Sequence, residues 1–146
     1  MFREDNSQRS HESSILKNKL WGIILAGGEG NRLKNMVTRL YGYHRPKQYC
    51  TFTGPTSMIK QTIDRAHKII PNIKILTVVT SHHSKYFNEE LIHRPQETII
   101  IQPCPKDTGA GILLPLVKIH KSDPDSTVAI FPSDHFILDE RKFMGH

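Results

Sequence analysis

A glycine-rich turn directly after the first apolar segment carries the strongest chemical signal in the chain. Gly27, Gly28 and Gly30 have no Cβ, so consecutive backbone N–H groups there can approach a polyanion closely. Arg32 and Lys47 add two full positive charges shortly afterwards. Backbone donors beside two cations are suited to polyphosphate. We therefore predict that this turn, called the glycine loop (residues 25–31), binds a nucleoside triphosphate.

Two common phosphate-binding motifs do not fit this segment. A Walker loop ends in Gly-Lys-Ser or Gly-Lys-Thr, and no such string occurs. A dinucleotide fingerprint needs a third glycine where this chain has Leu33. On glycine spacing alone, a tight turn without a ligand is an equally good interpretation. The nearby Arg32 and Pro46-Lys47 favour ligand binding.

Basic residues are concentrated around the glycine loop. The chain has a formal net charge of +6, and the segment from Glu29 to Tyr49 holds five basic residues against one acid. Aromatic residues do not alternate with these charges as a base-stacking surface would require. We therefore predict a phosphate ligand and no nucleic-acid partner. The five residues are Arg32, Lys34, Arg39, Arg45 and Lys47.

Strand and helix signals alternate along the chain, which predicts an α/β fold with a Rossmann-like, mostly parallel sheet flanked by helices. Ligands of such sheets bind beyond the carboxyl ends of the strands. We therefore expect the glycine loop, Gln102 and Asp134 to meet at one edge. Strands are predicted at residues 20–25, 49–52, 73–80, 97–102 and 127–131, and helices at residues 57–70, 84–91 and 108–120.

Four short motifs occur in order: AGGEGNRL at 26–33, RPKQY at 45–49, QP and KDT within 102–108, and FPSDH at 131–135. This series resembles the signatures of sugar-1-phosphate nucleotidyltransferases, and most closely those of the mannose-1-phosphate guanylyltransferase branch. Residues 34–36, 105–106 and 109–111 depart from the usual pattern. These departures leave the base and the sugar open more than the type of reaction.

The resemblance implies a fold of the nucleotide-diphospho-sugar transferase type. It also implies nucleotidyl transfer from a triphosphate, with GTP favoured, to a sugar 1-phosphate, with mannose 1-phosphate favoured, and release of pyrophosphate. Arg32 and Lys47 would be catalytic, and Asp134 would bind Mg²⁺, which takes few carboxylates together with phosphate oxygens. A capping role without a ligand stays open for Asp134 and for Thr108. The implied nucleotide-binding residues are Leu25, Ala26, Gly27, Gly28, Gly30, Asn31, Gln102 and Thr108.

Proteins of this kind continue beyond the fourth motif into a sugar-binding part with a second metal carboxylate. We therefore expect residues 20–146 to be the nucleotide-binding part of a truncated domain, preceded by a flexible tail at residues 1–19. A non-catalytic nucleotide-binding or regulatory module is the alternative to an enzyme. A molybdenum-cofactor type nucleotidyltransferase is disfavoured, because its lysine follows the loop closely and Lys47 is well separated from Arg32.

The rest of the sequence limits location and metal chemistry. No apolar run is long enough to cross a membrane, and the first residues lack the apolar core of a secretory signal. Cys50 and Cys104 lack zinc-site spacing, as do the histidines His44, His82 and His83, which we predict to lie at the surface or in loops. We predict a cytoplasmic protein without a membrane partner, and leave homo-oligomer formation open.

Overall fold

A computed structural model describes residues 19–145 of the chain. Four parallel strands form one sheet in the order β3-β2-β1-β4, so that β1 lies inside the sheet between β2 and β4. Apart from Lys19, the predicted tail at residues 1–19 is outside the described residues. The strands are β1 (Leu20–Leu25), β2 (Ile75–Thr80), β3 (Ile99–Gln102) and β4 (Thr127–Pro132).

Helices pack on both faces of the sheet, which confirms the predicted fold class. Side chains of α2 and α3 join a core cluster on one face, and side chains of α4 join a second cluster on the other. The helices are α1 (Lys34–Tyr41), α2 (Met58–His67), α3 (Ser84–Glu90), α4 (Asp107–Ser122) and α5 (Glu140–Met144).

The apolar run of β1 is explained by burial on both faces. Ile24 packs in the cluster that contains Ile59 of α2, whereas Ile23 packs in the cluster that contains Ile119 of α4. Successive side chains of a strand point to opposite faces, so a strand covered by helices on both sides has no polar face. This burial fixes the end of β1, and with it the position of the glycine loop.

The predicted helix at residues 57–70 forms, but it is shorter. The Ser57 side chain accepts a hydrogen bond from the backbone N–H of Lys60, as expected of an N-cap, and the helix proper ends at His67. The remaining residues before Pro71 form a turn in which the N–H of Ile70 still bonds to the Ala66 carbonyl.

The prediction of five strands is wrong at residues 49–52. Tyr49 ends a 3-10 turn (Lys47–Tyr49), and the N–H groups of Tyr49 and Cys50 donate to the carbonyls of Pro46 and Lys47 instead of to another strand. Tyr49 and Cys50 are almost completely buried. An apolar, buried pair gives the same sequence signal as a short strand, which explains the error.

Two strands begin later than predicted, and two helices, α1 and α5, were not predicted. Residues 72–74 and 96–98 form 3-10 turns before β2 and β3. The apolar residues of α1 recur at helical spacing, at positions 36, 37, 40 and 41, but the helix buries only Val37. Among residues 19–145, no helix is long and apolar enough to cross a membrane.

Candidate functional site

A cleft of about 690 Å³ opens at the carboxyl ends of β1, β3 and β4. The glycine loop forms one side, the first residues of α4 form another, and Lys47 and Asp134 complete the lining. All predicted site residues except Ala26 therefore meet in one place. Those that line the cleft are Leu25, Gly27, Gly28, Gly30, Asn31, Arg32, Lys47, Gln102, Thr108 and Asp134.

Ala26 lies behind the cleft. It is buried, its N–H donates to the Val78 carbonyl at 2.8 Å, and its own carbonyl accepts from Nε2 of Gln48 at 2.8 Å. Both backbone groups of Ala26 are thus used inside the protein. Its contribution is to anchor the glycine loop to β2.

Gly30 brings the glycine loop against Lys47. Its φ is +67°, a left-handed conformation that side chains with a Cβ adopt at a cost. A Cβ at Gly30 would lie 3.1 Å from the backbone nitrogen of Lys47 and 3.3 Å from its Cγ. The absence of a side chain at Gly30 therefore lets Lys47 reach the loop.

The predicted catalytic lysine and the predicted metal ligand form an ion pair. Nζ of Lys47 contacts Oδ2 of Asp134, with the two side chains 35% and 20% exposed. Both groups face the cleft. The cation of Lys47 and the carboxylate of Asp134 thus lie together at the carboxyl end of β4, where each can leave the other and bind a ligand instead.

Most of the basic residues that surround the glycine loop in the sequence do not line the cleft. Arg45 turns away, with Nη2 2.9 Å from Oε1 of Glu90 and its guanidinium 5.4 Å from the Tyr86 ring centre. Lys34 and Arg39 are exposed on α1 and do not line the cleft. The cleft lining instead balances three basic residues with three acids: Arg32, Lys47 and Lys106 with Glu29, Asp107 and Asp134.

Arg32 is a cation of the cleft that has no partner among the described residues. It is exposed in the short 3-10 turn Asn31–Leu33. Within residues 19–145, its guanidinium has neither a hydrogen bond nor an ion pair, whereas Lys47 is paired. Arg32 is therefore available to an anionic ligand without breaking a contact to this part of the chain.

The Gln102 side chain lies between two glycines. It is only 6% exposed, and Oε1 is 3.2 Å from the position that a Cβ on Gly27 would take, while Nε2 is 3.8 Å from the corresponding position on Gly111. Its amide finds no hydrogen-bond partner among the described residues. A donor and an acceptor are thus left for a ligand at the edge of the cleft.

Helix α4 begins at the cleft. Lys106 is its N-cap residue, so the capping alternative for Thr108 is wrong, and Thr108 lies in the first turn facing the cleft. Asp107 has a φ of 58°, an uncommon conformation for a residue with a side chain. The positive end of a 16-residue helix favours an anionic ligand.

Gln48 and Lys106 were not singled out as site residues from the sequence, although both belong to the quoted motifs. Gln48 is 2% exposed and bonds to two carbonyls of the glycine loop. Lys106 lines the cleft. For Gln48, the available sequence signal was a polar residue directly after the predicted site residue Lys47, because polar groups buried beside a site need partners.

His83 was predicted to lie at the surface or in a loop; it lies in the 3-10 turn Ser81–His83 between β2 and α3, but its side chain is buried. It is 4% exposed, Nδ1 is 3.2 Å from Oγ1 of Thr80, and Nε2 is 3.5 Å from Oε1 of Glu29. Thr80 donates its hydroxyl hydrogen to the Gly27 carbonyl at 3.2 Å, so Nδ1 of His83 carries the proton of their contact. The imidazole therefore helps to hold the glycine loop in place through Thr80.

Acidification is expected to destabilise the fold through His83. Burial lowers the pKa of His83 below its usual value near 6.5, and Glu29 offsets this in part while His82 and His44 add to it. The unfolded chain then binds the proton more readily, so stability is complete above pH 6.5 and falls as the pH drops below it. Urea unfolding of the His83→Gln variant should show a smaller loss on acidification than the wild type.

The control for this prediction is His93→Gln, because His93 is exposed after α3. The His93→Gln variant should lose stability with pH as the wild type does. An identical pH dependence of His83→Gln and wild type would contradict the assignment.

Asp134 satisfies what Mg²⁺ requires of the protein at such a site. Magnesium takes one or two carboxylates, completes its shell with water and phosphate oxygens, and needs no protein cage. Within the described part of the chain, no group of three or more His, Cys, Asp or Glu residues could hold a metal alone. The cleft thus fits Mg²⁺ that arrives with a polyphosphate.

Comparison with known proteins agrees with this geometry. The model of the nucleotidyl transferase family matches residues 21–144. The chain is 28% identical to mannose-1-phosphate guanylyltransferase of Escherichia coli K12 over 88% of its own length. It is 26% identical to the alginate biosynthesis protein AlgA of Pseudomonas aeruginosa over 83% of its length. These alignments cover 27% and 24% of the two relatives, so the chain spans about a quarter of their length.

Solved structures support the same fold. A structure described as mannose-1-phosphate geranyltransferase from Thermus thermophilus superposes with a TM-score of 0.66 at 22% identity, covering 87% of this chain and 36% of that one. A nucleotidyl transferase from Methanothermobacter superposes at 0.60 with 15% identity, covering 88% and 58%. Fold and cleft define an α/β protein with one cleft at the carboxyl ends of its parallel strands. The chain belongs to the nucleotidyl transferase family.

Proposed function

We propose that the chain provides the nucleotide-binding part of a sugar-1-phosphate nucleotidyltransferase, with GTP and mannose 1-phosphate as the favoured substrates. The observation that carries this proposal is the single cleft that joins the glycine loop, Lys47, Gln102 and Asp134 at the strand ends. Membership of the nucleotidyl transferase family supports the reaction class. The similarity to mannose-1-phosphate guanylyltransferase of Escherichia coli supports the choice of substrates.

In this proposal the protein binds and orients the triphosphate and neutralises its charge. The N–H groups of the glycine loop and the cations of Arg32 and Lys47 hold the phosphates, while Gln102 faces the base. Asp134 would hold Mg²⁺, which when bound would neutralise phosphate oxygens and orient them. Lys47 and Asp134 would exchange their mutual contact for phosphate and metal.

The proposed reaction needs no nucleophile from the protein. A phosphate oxygen of the sugar 1-phosphate attacks the α-phosphorus, a new P–O bond forms, and the bond to the leaving pyrophosphate breaks. Negative charge develops on the α-phosphate and on the leaving group. Positioning and charge stabilisation then supply the catalysis, which suits a cleft that offers backbone donors, the cations of Arg32 and Lys47 and the carboxylate of Asp134.

Pyrophosphate release tests this proposal. The chain is incubated with Mg²⁺, mannose 1-phosphate and each of GTP, ATP, UTP and CTP, and the same assay is run with glucose 1-phosphate. Turnover that is fastest with GTP and mannose 1-phosphate would support the proposal. Saturable nucleotide binding without release would favour the non-catalytic nucleotide-binding module.

The cytoplasmic location, the absence of nucleic-acid and membrane partners and any homo-oligomer stay predictions.

A further inference from the structure

Four successive backbone carbonyls of the glycine loop accept hydrogen bonds from buried side chains. Oγ of Ser133 donates to the Leu25 carbonyl at 2.6 Å, and Oγ1 of Thr80 donates to the Gly27 carbonyl at 3.2 Å. Nε2 of Gln48 donates to the other two, those of Ala26 and Gly28, at 2.8 and 2.9 Å. A carbonyl held in this way cannot rotate without losing its hydrogen bond.

Gln48 is well suited to this task. A primary amide nitrogen carries two hydrogens, and here each has its own carbonyl acceptor. Because both partners are acceptors, the opposite amide orientation would place Oε1 of Gln48 against two oxygens. The side chain is 2% exposed, so water does not replace these hydrogen bonds readily.

The carbonyl contacts determine where the loop N–H groups point. The described residues contain no cis peptide bond, and in a planar trans peptide the C=O and the following N–H point in opposite directions. Holding the Ala26 and Gly28 carbonyls inwards therefore turns the N–H groups of Gly27 and Glu29 outwards. Gly27 and Glu29 line the cleft, and neither N–H group has an acceptor among residues 19–145.

We propose that Gln48 is a positioning residue for nucleotide binding, because it directs the N–H groups of Gly27 and Glu29 into the cleft from behind the glycine loop. This inference rests on the proposed nucleotide-binding function of the cleft. Glycines leave the loop many conformations, so an oriented row of donors requires fixed carbonyls. Gln48 supplies two of these contacts without touching the ligand.

The chain offers a matched control in Gln61. Its Nε2 also donates to two backbone carbonyls, those of Thr53 and Thr56, at 2.6 and 2.9 Å. Gln61 does not line the cleft. Gln48→Met and Gln61→Met therefore remove the same pair of hydrogen bonds from two different loops, with a side chain of similar length.

Calorimetric titration with Mg-GTP tests the inference. We expect Gln48→Met to bind about 10- to 100-fold more weakly than the wild type, and Gln61→Met to bind within about twofold of it. Thr80→Val, which removes the one donor to the Gly27 carbonyl among residues 19–145, should weaken binding by a smaller factor. This variant also tests the orientation of the loop should Gln48→Met fail to fold.

A pH series with Gln48→Glu separates positioning from general damage to the fold. A carboxylate cannot donate to the two carbonyls, whereas a protonated carboxyl group donates one hydrogen bond. Mg-GTP binding by Gln48→Glu, divided by that of the wild type at each pH, should therefore recover on acidification. The same ratio for Gln48→Met should stay constant.

The outcomes distinguish the inference from the proposed function. Wild-type binding together with equal binding by folded Gln48→Met, or by Gln48→Glu at neutral pH if Gln48→Met does not fold, would overturn the inference alone. Equal losses in Gln48→Met and Gln61→Met would also overturn it, because the effect would then be general. Absence of binding by the folded wild type would overturn the proposed function and, with it, the role of Gln48.

Discussion

Replacing Lys47 with methionine is expected to weaken Mg-GTP binding about 100-fold, because a charge-assisted contact to phosphate contributes more than a neutral hydrogen bond. Lys47 is paired with Asp134 in the structure, and the proposed function has this pair separate when phosphate and metal bind, so the expected loss is that of the phosphate contact alone. Calorimetry on the purified variant measures the change in affinity.

Lys68→Met is the matched control for this prediction. Lys68 also pairs with a carboxylate, that of Glu140, and is 49% exposed on a surface away from the cleft. Mg-GTP binding by this variant should equal that of the wild type. Equal affinities of Lys47→Met and wild type would show that Lys47 makes no contact with the nucleotide.

Gly30→Ala is expected to be the most damaging conservative change in the glycine loop. Alanine at a φ of +67° costs about 1–2 kcal/mol of stability. Its Cβ would also lie 3.1 Å from the Lys47 backbone nitrogen, which cannot move aside as a flexible side chain could. We therefore expect lower stability in urea unfolding and at least tenfold weaker Mg-GTP binding, because displacing Lys47 removes its contact with phosphate.

Gly42→Ala separates these two effects. Gly42 has a similar φ of +77°, but a Cβ there meets no atom of residues 19–145 within 4 Å. The variant should lose comparable stability through backbone strain and keep the wild-type affinity for Mg-GTP. If Gly30→Ala bound as well as Gly42→Ala, the close approach of Gly30 to Lys47 would have no role in binding.

The sequence predicted the parts of the fold that depend on local patterns. The apolar run before Gly27 predicted β1, and the helix predicted from residue 57 starts within one residue of α2. Parallel strands then required their carboxyl ends to share one edge, which is why the glycine loop, Gln102 and Asp134 were expected to meet. The cleft follows from topology and needed no knowledge of side-chain contacts.

The errors arose where long-range contacts determine the structure. Tyr49 and Cys50 have the apolar character of a strand, yet they fill the core next to a 3-10 turn. Arg45 is basic and close to Lys47 in sequence, yet Glu90 draws it away from the cleft. His83 is a polar residue that is buried below the glycine loop. Each outcome depends on a partner that sequence spacing does not reveal.

The roles of the site residues depend on pairings of the same kind. The sequence treated Lys47 as a phosphate ligand and Asp134 as a metal ligand, each considered alone. The structure joins them in one ion pair, so that under the proposed function binding of the nucleotide and binding of the metal would be interdependent. Gln48 likewise acquires its role only through two carbonyls of a loop that precedes it.

Calorimetric titration of the folded chain tests most directly whether the cleft binds a magnesium-loaded nucleoside triphosphate. Mg-GTP, Mg-ATP, Mg-UTP and Mg-CTP are titrated in turn. We expect saturable heat with one site per chain for at least one of them, strongest for Mg-GTP. No saturable heat from any of the four, on a sample whose cooperative unfolding shows that it is folded, would contradict this expectation.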